Sequence, residues 1–230
     1  MSLFQKVTLS CPACAEPVEF EGNHSVNADR RPDFRDAILD GSFQGQACPK
    51  CKKVFRLQPE LTYLDIGRGQ WIAGMSLDKL AGWNQAETRA QAAFDKAFGR
   101  LAPANAQVIG KDLKPRVTFG WPALAEKILA RQHELDDVNL ELVKMAILRG
   151  LDESPLGNDT ELRLISLEEN GDFVLDWLRP ATEASVERML VPRDLYTEIA
   201  ADNTGWKVLR DEVKGGLFVD MQKLMIPAAA

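Results

Sequence analysis

The chain has 230 residues and four cysteines, and all four fall in two copies of one short motif, Cys11-Pro12-Ala13-Cys14 and Cys48-Pro49-Lys50-Cys51. Two residues between cysteines let both sulfurs turn into one tight backbone loop, so each knuckle offers two ligands about a metal diameter apart. Two knuckles complete a tetrahedral thiolate shell, the closed arrangement of a structural zinc site. Proline after the first cysteine fixes φ and removes an N–H, which stiffens the loop. Residues 15–47 separate the pairs, a longer spacer than the roughly 12 to 20 residues of a compact zinc ribbon. A folded insert is therefore expected between them. The position after each second cysteine, where φ tends to be positive, holds Ala15 or Lys52 rather than glycine. Each turn must then take another path or carry strain.

Three other readings of the cysteines compete. Iron fits the same four thiolates. A dithiol redox centre needs one low-pKa thiolate at a helix N-terminus, whereas the segments before the pairs, Lys6–Leu9 and Phe43–Gln46, read as strands. Structural disulfides need an oxidising compartment, and Met1–Lys6 carries no apolar signal segment. The expectation is structural zinc on Cys11, Cys14, Cys48 and Cys51, in a cytoplasmic setting.

Beyond the knuckles, the chain reads Val7-Thr8-Leu9-Ser10 before the first pair, then Asn27, then Pro32-Asp33-Phe34-Arg35-Asp36-Ala37-Ile38-Leu39-Asp40-Gly41-Ser42 before the second. After the second pair come Leu61-Thr62-Tyr63-Leu64-Asp65 and Gln70-Trp71-Ile72. Over about residues 5–75 this arrangement resembles the CpXC domain family. The resemblance implies the four ligands and the inserted helix, and it carries no reaction with it.

Hydrophobic residues make up 45% and charged residues 27%, the composition of an ordinary soluble domain. No apolar run approaches the ~18 residues of a membrane span, so no membrane partner is expected. Lys and Arg total 28 against 34 Asp and Glu, a net −6, and zinc on four thiolates adds a further −2 in formal charge. That balance argues against gripping a phosphate backbone with the whole surface. A nucleic-acid reading rests on Lys50, Lys52, Lys53 and Arg56 beside the second knuckle, joined by Arg30, Arg31, Arg35 and Arg68. Against it, the same cations offset an anionic metal centre and keep an edge strand soluble. Basic and acidic side chains balance over residues 1–76.

The expected fold class is α+β: a small β-rich, zinc-ribbon-like module with an inserted helix (1–80), a helical region (81–150) and a C-terminal α+β region (151–230). Strands are predicted at 6–10, 17–21, 53–57 and 61–66, the last returning through a turn at Gly67-Arg68-Gly69 to 70–73. Between the knuckles, Pro32–Leu39 reads as a helix capped by Asp29, stopped by Gly41, and packed on the ribbon sheet through Phe34, Ile38 and Leu39. Asn84 and Glu87 make a capping box for a helix ending at Gly99. Residues 101–115 read as a loop. From Pro122 to Gly150, Leu124, Ile128, Leu135, Val138, Leu142 and Met145 recur near heptad spacing, with a possible break at Arg131–Glu134. Asn170-Gly171 signals a type I′ hairpin turn between strands over 161–178. A short strand at 189–191, helices near 193–201 and 205–214, and a closing strand at 216–223 complete the reading.

Two histidines are too few for conventional nucleophilic catalysis. His24 reads as an ordinary loop residue rather than a ligand, because four thiolates already close the shell. His133, Glu134 and Asp137 share a helix spacing that usually marks a solvated ion pair. Asp136, Asp137 and Glu141 are expected on a solvated helix face rather than around a hard cation. Gly67-Arg68-Gly69 lacks the third glycine and the helix of a dinucleotide loop. No catalytic residue is assigned. The sequence thus predicts a non-enzymatic, zinc-clipped adaptor with a protein partner. A nucleic-acid-binding zinc ribbon is the alternative, a thiol-redox or unassigned enzyme the second, and self-association through the 122–150 helix an additional prospect.

Overall fold

The structure, a computed structural model, describes residues 4–151 and 159–227. Strands β1 (Phe4–Ser10) and β2 (Pro17–Asn23) form a hairpin around the first knuckle. β3 (Ser25–Asn27) and α1 (Pro32–Leu39) follow, and a second hairpin, β4 (Gly45–Ala47) with β5 (Val54–Arg56), carries the second knuckle. Next come β6 (Leu61–Asp65) and β7 (Gln70–Met75), then a 3₁₀ turn and α2 (Trp83–Ala97). After α3 (Ala104–Gly110) come β8 (Lys114–Phe119), α4 (Trp121–Gln132) and α5 (Asp137–Gly150). The remainder is β9 (Glu161–Leu167), β10 (Phe173–Arg179), β11 (Ala184–Val191), α6 (Arg193–Ala201), α7 (Lys207–Lys214) and a short 3₁₀ helix at Met221–Leu224. A β-rich region holding the cysteines, followed by helices and a further sheet, is the α+β class expected.

The central layer is a four-stranded sheet in the order β3-β6-β7-β8, so it draws strands from both sides of residue 80. Residues 101–115 are therefore not simply a loop: they hold α3 and lead into β8, whose Pro115 stands opposite Trp71. Proline is tolerated there because β8 is the edge strand. Beyond it the backbone N–H of Val117 donates to Leu217 O, 3.0 Å, so the C-terminal segment covers the edge. That segment forms no closing strand of its own; 216–223 runs irregularly into the 3₁₀ turn.

α1 behaves differently from its prediction in two ways. Ile38, with Phe34, Ala37 and Leu39, packs into the core of the central sheet beside Tyr63, Ile72, Trp121 and Leu124, not on the knuckle hairpins. Asp29 does not cap it. The carboxylate instead accepts from the N–H groups of Ile66, 2.7 Å, and Gly67, 3.0 Å, and so pins the β6–β7 turn. Gly41, φ 80°, does close the helix as read. The other face of the sheet is covered by α2, through Ala86, Ala90 and Phe94. Here too the predicted box is spent elsewhere: Glu87 accepts from the backbone N–H groups of Leu217 and, at 2.8 Å, Phe218.

The long helix breaks at its polar middle. Glu134 takes φ 56° and Leu135 N–H reaches back to Ala130 O, 2.9 Å, a closing turn in which glycine is usual. Asp136 then caps α5 by accepting from Val138 and Asn139. Leu124, Ile128, Leu135, Val138, Leu142 and Met145 are all buried within the chain. The three-stranded sheet β11-β10-β9 packs on α5 to α7. Its 168–172 turn is a type I turn followed by Gly171 at φ 87°, closed by Gly171 N–H to Glu168 O, rather than the type I′ turn read from Asn170-Gly171.

Candidate metal centre

The two knuckles fold alike. In each, the N–H four residues after the first cysteine returns to that cysteine's carbonyl: Ala15 to Cys11, 2.9 Å, and Lys52 to Cys48, 3.0 Å. In each, the first cysteine's N–H reaches the residue five ahead: Cys11 to Glu16 O, 2.8 Å, and Cys48 to Lys53 O, 2.9 Å. Ala15 and Lys52 take φ 58° and φ 63°. The strain foreseen from the missing glycines is thus present, and it is accepted in both loops rather than avoided.

The hairpins bring the four sulfurs together. Cys11 Sγ lies 3.5 Å from Cys51 Sγ, Cys14 Sγ lies 3.6 Å from Cys48 Sγ, and all four ligand atoms lie within 4.8 Å of one another. A tetrahedron with metal–sulfur bonds of about 2.3 Å has edges of ~3.8 Å, so the donor set and its spacing fit one metal ion. Cys11 and Cys48 are buried, Cys14 is half-buried and Cys51 exposed. A small apolar cluster of Val18, Phe20, Leu57 and Phe55 backs the sulfurs, with Phe20 and Phe55 edge to face at 5.1 Å.

Without a cation such a cluster cannot hold four negative charges. Burial pushes the Cys11 thiol up, but the N–H groups of Ala13 and Cys14 and the neighbouring thiols outweigh it and bring the value down to about 6. At Cys14 the Glu16 N–H acts downward, yet burial and the three other sulfurs carry the value up to about 12. The sulfurs therefore share protons. A bound dication removes that conflict by making every sulfur a ligand.

A family model described as CpXC protein matches residues 9–144. The chain belongs to the CpXC family. Neither a curated protein nor a solved structure matches it. The CpXC match extends well past the knuckles, through the central sheet and into α5, so the family unit includes the layer on which the metal centre rests.

The histidines stand apart from this centre. His24 Nδ1 lies 2.9 Å from Glu60 O. His133 sits at the break after α4, where the common helix face assumed for it and Asp137 does not exist. The basic residues do not form one patch either. Lys50 pairs with Glu16, Lys52 Nζ donates to Pro49 O, Arg56 pairs with Glu183, Arg35 and Arg68 both meet Asp65, and Arg31 pairs with Asp33.

Sequence reasoning missed a second polar centre. Asp137 and Glu141 do not lie on a solvated face. With Glu126, Glu161 and Asp220 they enclose Lys127, Lys144 and Arg163, nearly all of it buried. Lys144 Nζ sits 2.7 Å from Glu126 and 3.1 Å from Glu141. Arg163 bridges Glu126, Glu161 and Asp220 at 2.9, 2.7 and 2.6 Å. Lys127 and Arg116 meet at Asp137. Burial raises Glu141 and Glu161, while at Glu126 it is outweighed by Lys144 and Arg163, which hold that carboxyl low. The one available signal was positional: charged residues interleaved with the buried apolar positions of α4 and α5.

No described helix is long and apolar enough to cross a membrane.

Proposed function

We propose that this chain is a structural zinc protein that acts as an interaction module, its metal clip holding a surface in shape for another protein. The observation that carries the reading is the convergence of four sulfurs from two matched knuckles within 4.8 Å. Cys11, Cys14, Cys48 and Cys51 would hold the ion, and four thiolates leave no coordination position for a substrate or water. Zinc suits an all-sulfur tetrahedral set, and it has no redox chemistry of its own.

Two further observations support an adaptor over its rivals. The sulfurs follow β1 and β4 rather than a helix N-terminus, where a redox thiolate is usually stabilised. The cations suggested for nucleic acid are largely occupied by local carboxylates, and the chain is net −6. Elemental analysis of the native protein, with thiol titration before and after chelation, tests the reading. One zinc per chain and four thiols protected until chelation is the expected result. Iron, or reactive thiols in a folded metal-free chain, would put redox chemistry first.

A further inference from the structure

We infer that the cleft beside the second knuckle receives a peptide segment of a partner protein, an acidic side chain flanked by apolar ones, with Arg56 and Lys53 taking the carboxylate. This rests on the interaction-module reading and specifies its partner.

The cleft follows from strand alternation. In the β4–β5 hairpin Phe55 turns inward against Phe20, so Val54 and Arg56 face the other way. Val54 is left 69% exposed. Together with Pro12 and Lys53 these residues form one wall of a cleft of about 690 Å³, and Thr182 and Glu183 form the opposite wall. That volume is in the ordinary range for a ligand site. Its knuckle wall is set by the metal loop, because Lys53 O accepts from Cys48 N–H.

Arg56 is the centre of the cleft. Its guanidinium lies over the Trp121 ring, 4.6 Å from the centroid, and Trp121 is fixed by its own N–H to Leu57 O, 2.7 Å. Nε and Nη2 donate to Glu183 across 127 residues of sequence. Nη1 is buried and has no hydrogen-bond partner among the described residues. A buried donor left unpaired is costly, and a ligand oxygen would satisfy it. The cleft wall carries Lys53 and Arg56 against Glu183 alone, a positive surplus in a chain that is net −6. That surplus selects a carboxylate. Behind the Arg56–Glu183 bridge a second cavity of about 250 Å³ is lined by Trp121, Ala125, Leu129 and Leu178, with room for an apolar side chain next to the acid.

The test is a displayed library of random nine-residue peptides panned on the zinc-loaded full chain. The selected peptides are then synthesised and titrated by fluorescence anisotropy. Enriched sequences should centre on Asp or Glu beside Leu, Ile or Phe. Each should bind about tenfold more weakly when its acid becomes an amide, and about tenfold more weakly to Lys53→Gln and Val54→Ser. Both variants change exposed side chains, so they keep the fold even where Arg56→Gln does not. No enrichment, peptides lacking an acid, equal binding to both variants, or displacement by a single-stranded oligonucleotide would overturn the site. Chelation separates the two claims. If the metal-free chain keeps its fold and its affinity, the clip reading falls and the site stands. If the zinc-loaded chain is folded and selects nothing, the site falls and the clip stands.

Discussion

The two polar centres of the molecule hold charge in opposite ways. At the knuckles, four sulfurs from two short hairpins share one small apolar cluster, and their mutual repulsion is resolved by a metal ion. Between α4, α5, β9 and the C-terminal segment, carboxylates resolve theirs against Lys127, Lys144 and Arg163 inside a large core. A metal centre of this kind supplies folding energy outright. A buried ion network supplies little net stability but penalises any change of partner. The clip should therefore control whether its hairpins fold at all, and the network should control how the elements around it are matched.

The largest expected effect tests the first half of that contrast. Apparent zinc-binding energies of ~10–16 kcal/mol exceed the whole stability of many domains. Chelation, or Cys48→Ser, should therefore lower the thermal midpoint by tens of degrees; circular dichroism melts with and without chelator check this. Next is Lys144→Met, which leaves Glu126 and Glu141 without their shared cation. A loss of about 3–5 kcal/mol in denaturant unfolding is expected. A loss below 1 kcal/mol, roughly the worth of an exposed pair, would mean that water reaches the network.

A smaller effect comes with pH. At Asp220 burial acts upward, but Arg163, Lys144 and Lys127 bring the folded value down from 3.8 to about 2. A depressed carboxylate contributes stability that is present above its unfolded value and lost as pH falls through the folded one. The loss from Asp220 should amount to about 2 kcal/mol between pH 4 and 2. Glu141 and Glu161, being raised, have the opposite sign and withdraw stability as pH rises past 4.5. Denaturant titrations across that range on the metal-free chain, where thiolate protonation no longer intrudes, measure the balance. The smallest effect returns to the clip. Ala15→Gly and Lys52→Gly relieve positive-φ strain and should each stabilise the zinc-loaded chain by about 0.5–1 kcal/mol. An equal loss instead would mean the loops carry no strain there.

The contrast also explains what the sequence could reveal. Cys-Pro-x-Cys is a local pattern whose spacing implies its geometry, so the knuckles, their flanking hairpins and the helix between them were legible. So was the hairpin at 161–178, because apolar alternation is local too. The network was not, because Lys144 and Glu126 look like any exposed pair until the chain folds, and their partners Arg163 and Asp220 lie far along the sequence. The Asn84–Glu87 box and the Asp29 cap failed for a related reason: a carboxylate that can cap a nearby helix can also bind distant backbone N–H groups, and here tertiary contacts won. β8 was hidden by Pro115, which only an edge position tolerates. Glu134 concealed the helix stop because glycine is the usual residue in that conformation.

Amide hydrogen exchange on the zinc-loaded chain, before and after chelation, tests the central claim most directly. The account predicts that protection across 4–23 and 45–57 is lost with the metal, while α4, α5, β9 and β10 keep theirs. Protection that disappears from both regions together, or persists in both, would contradict it.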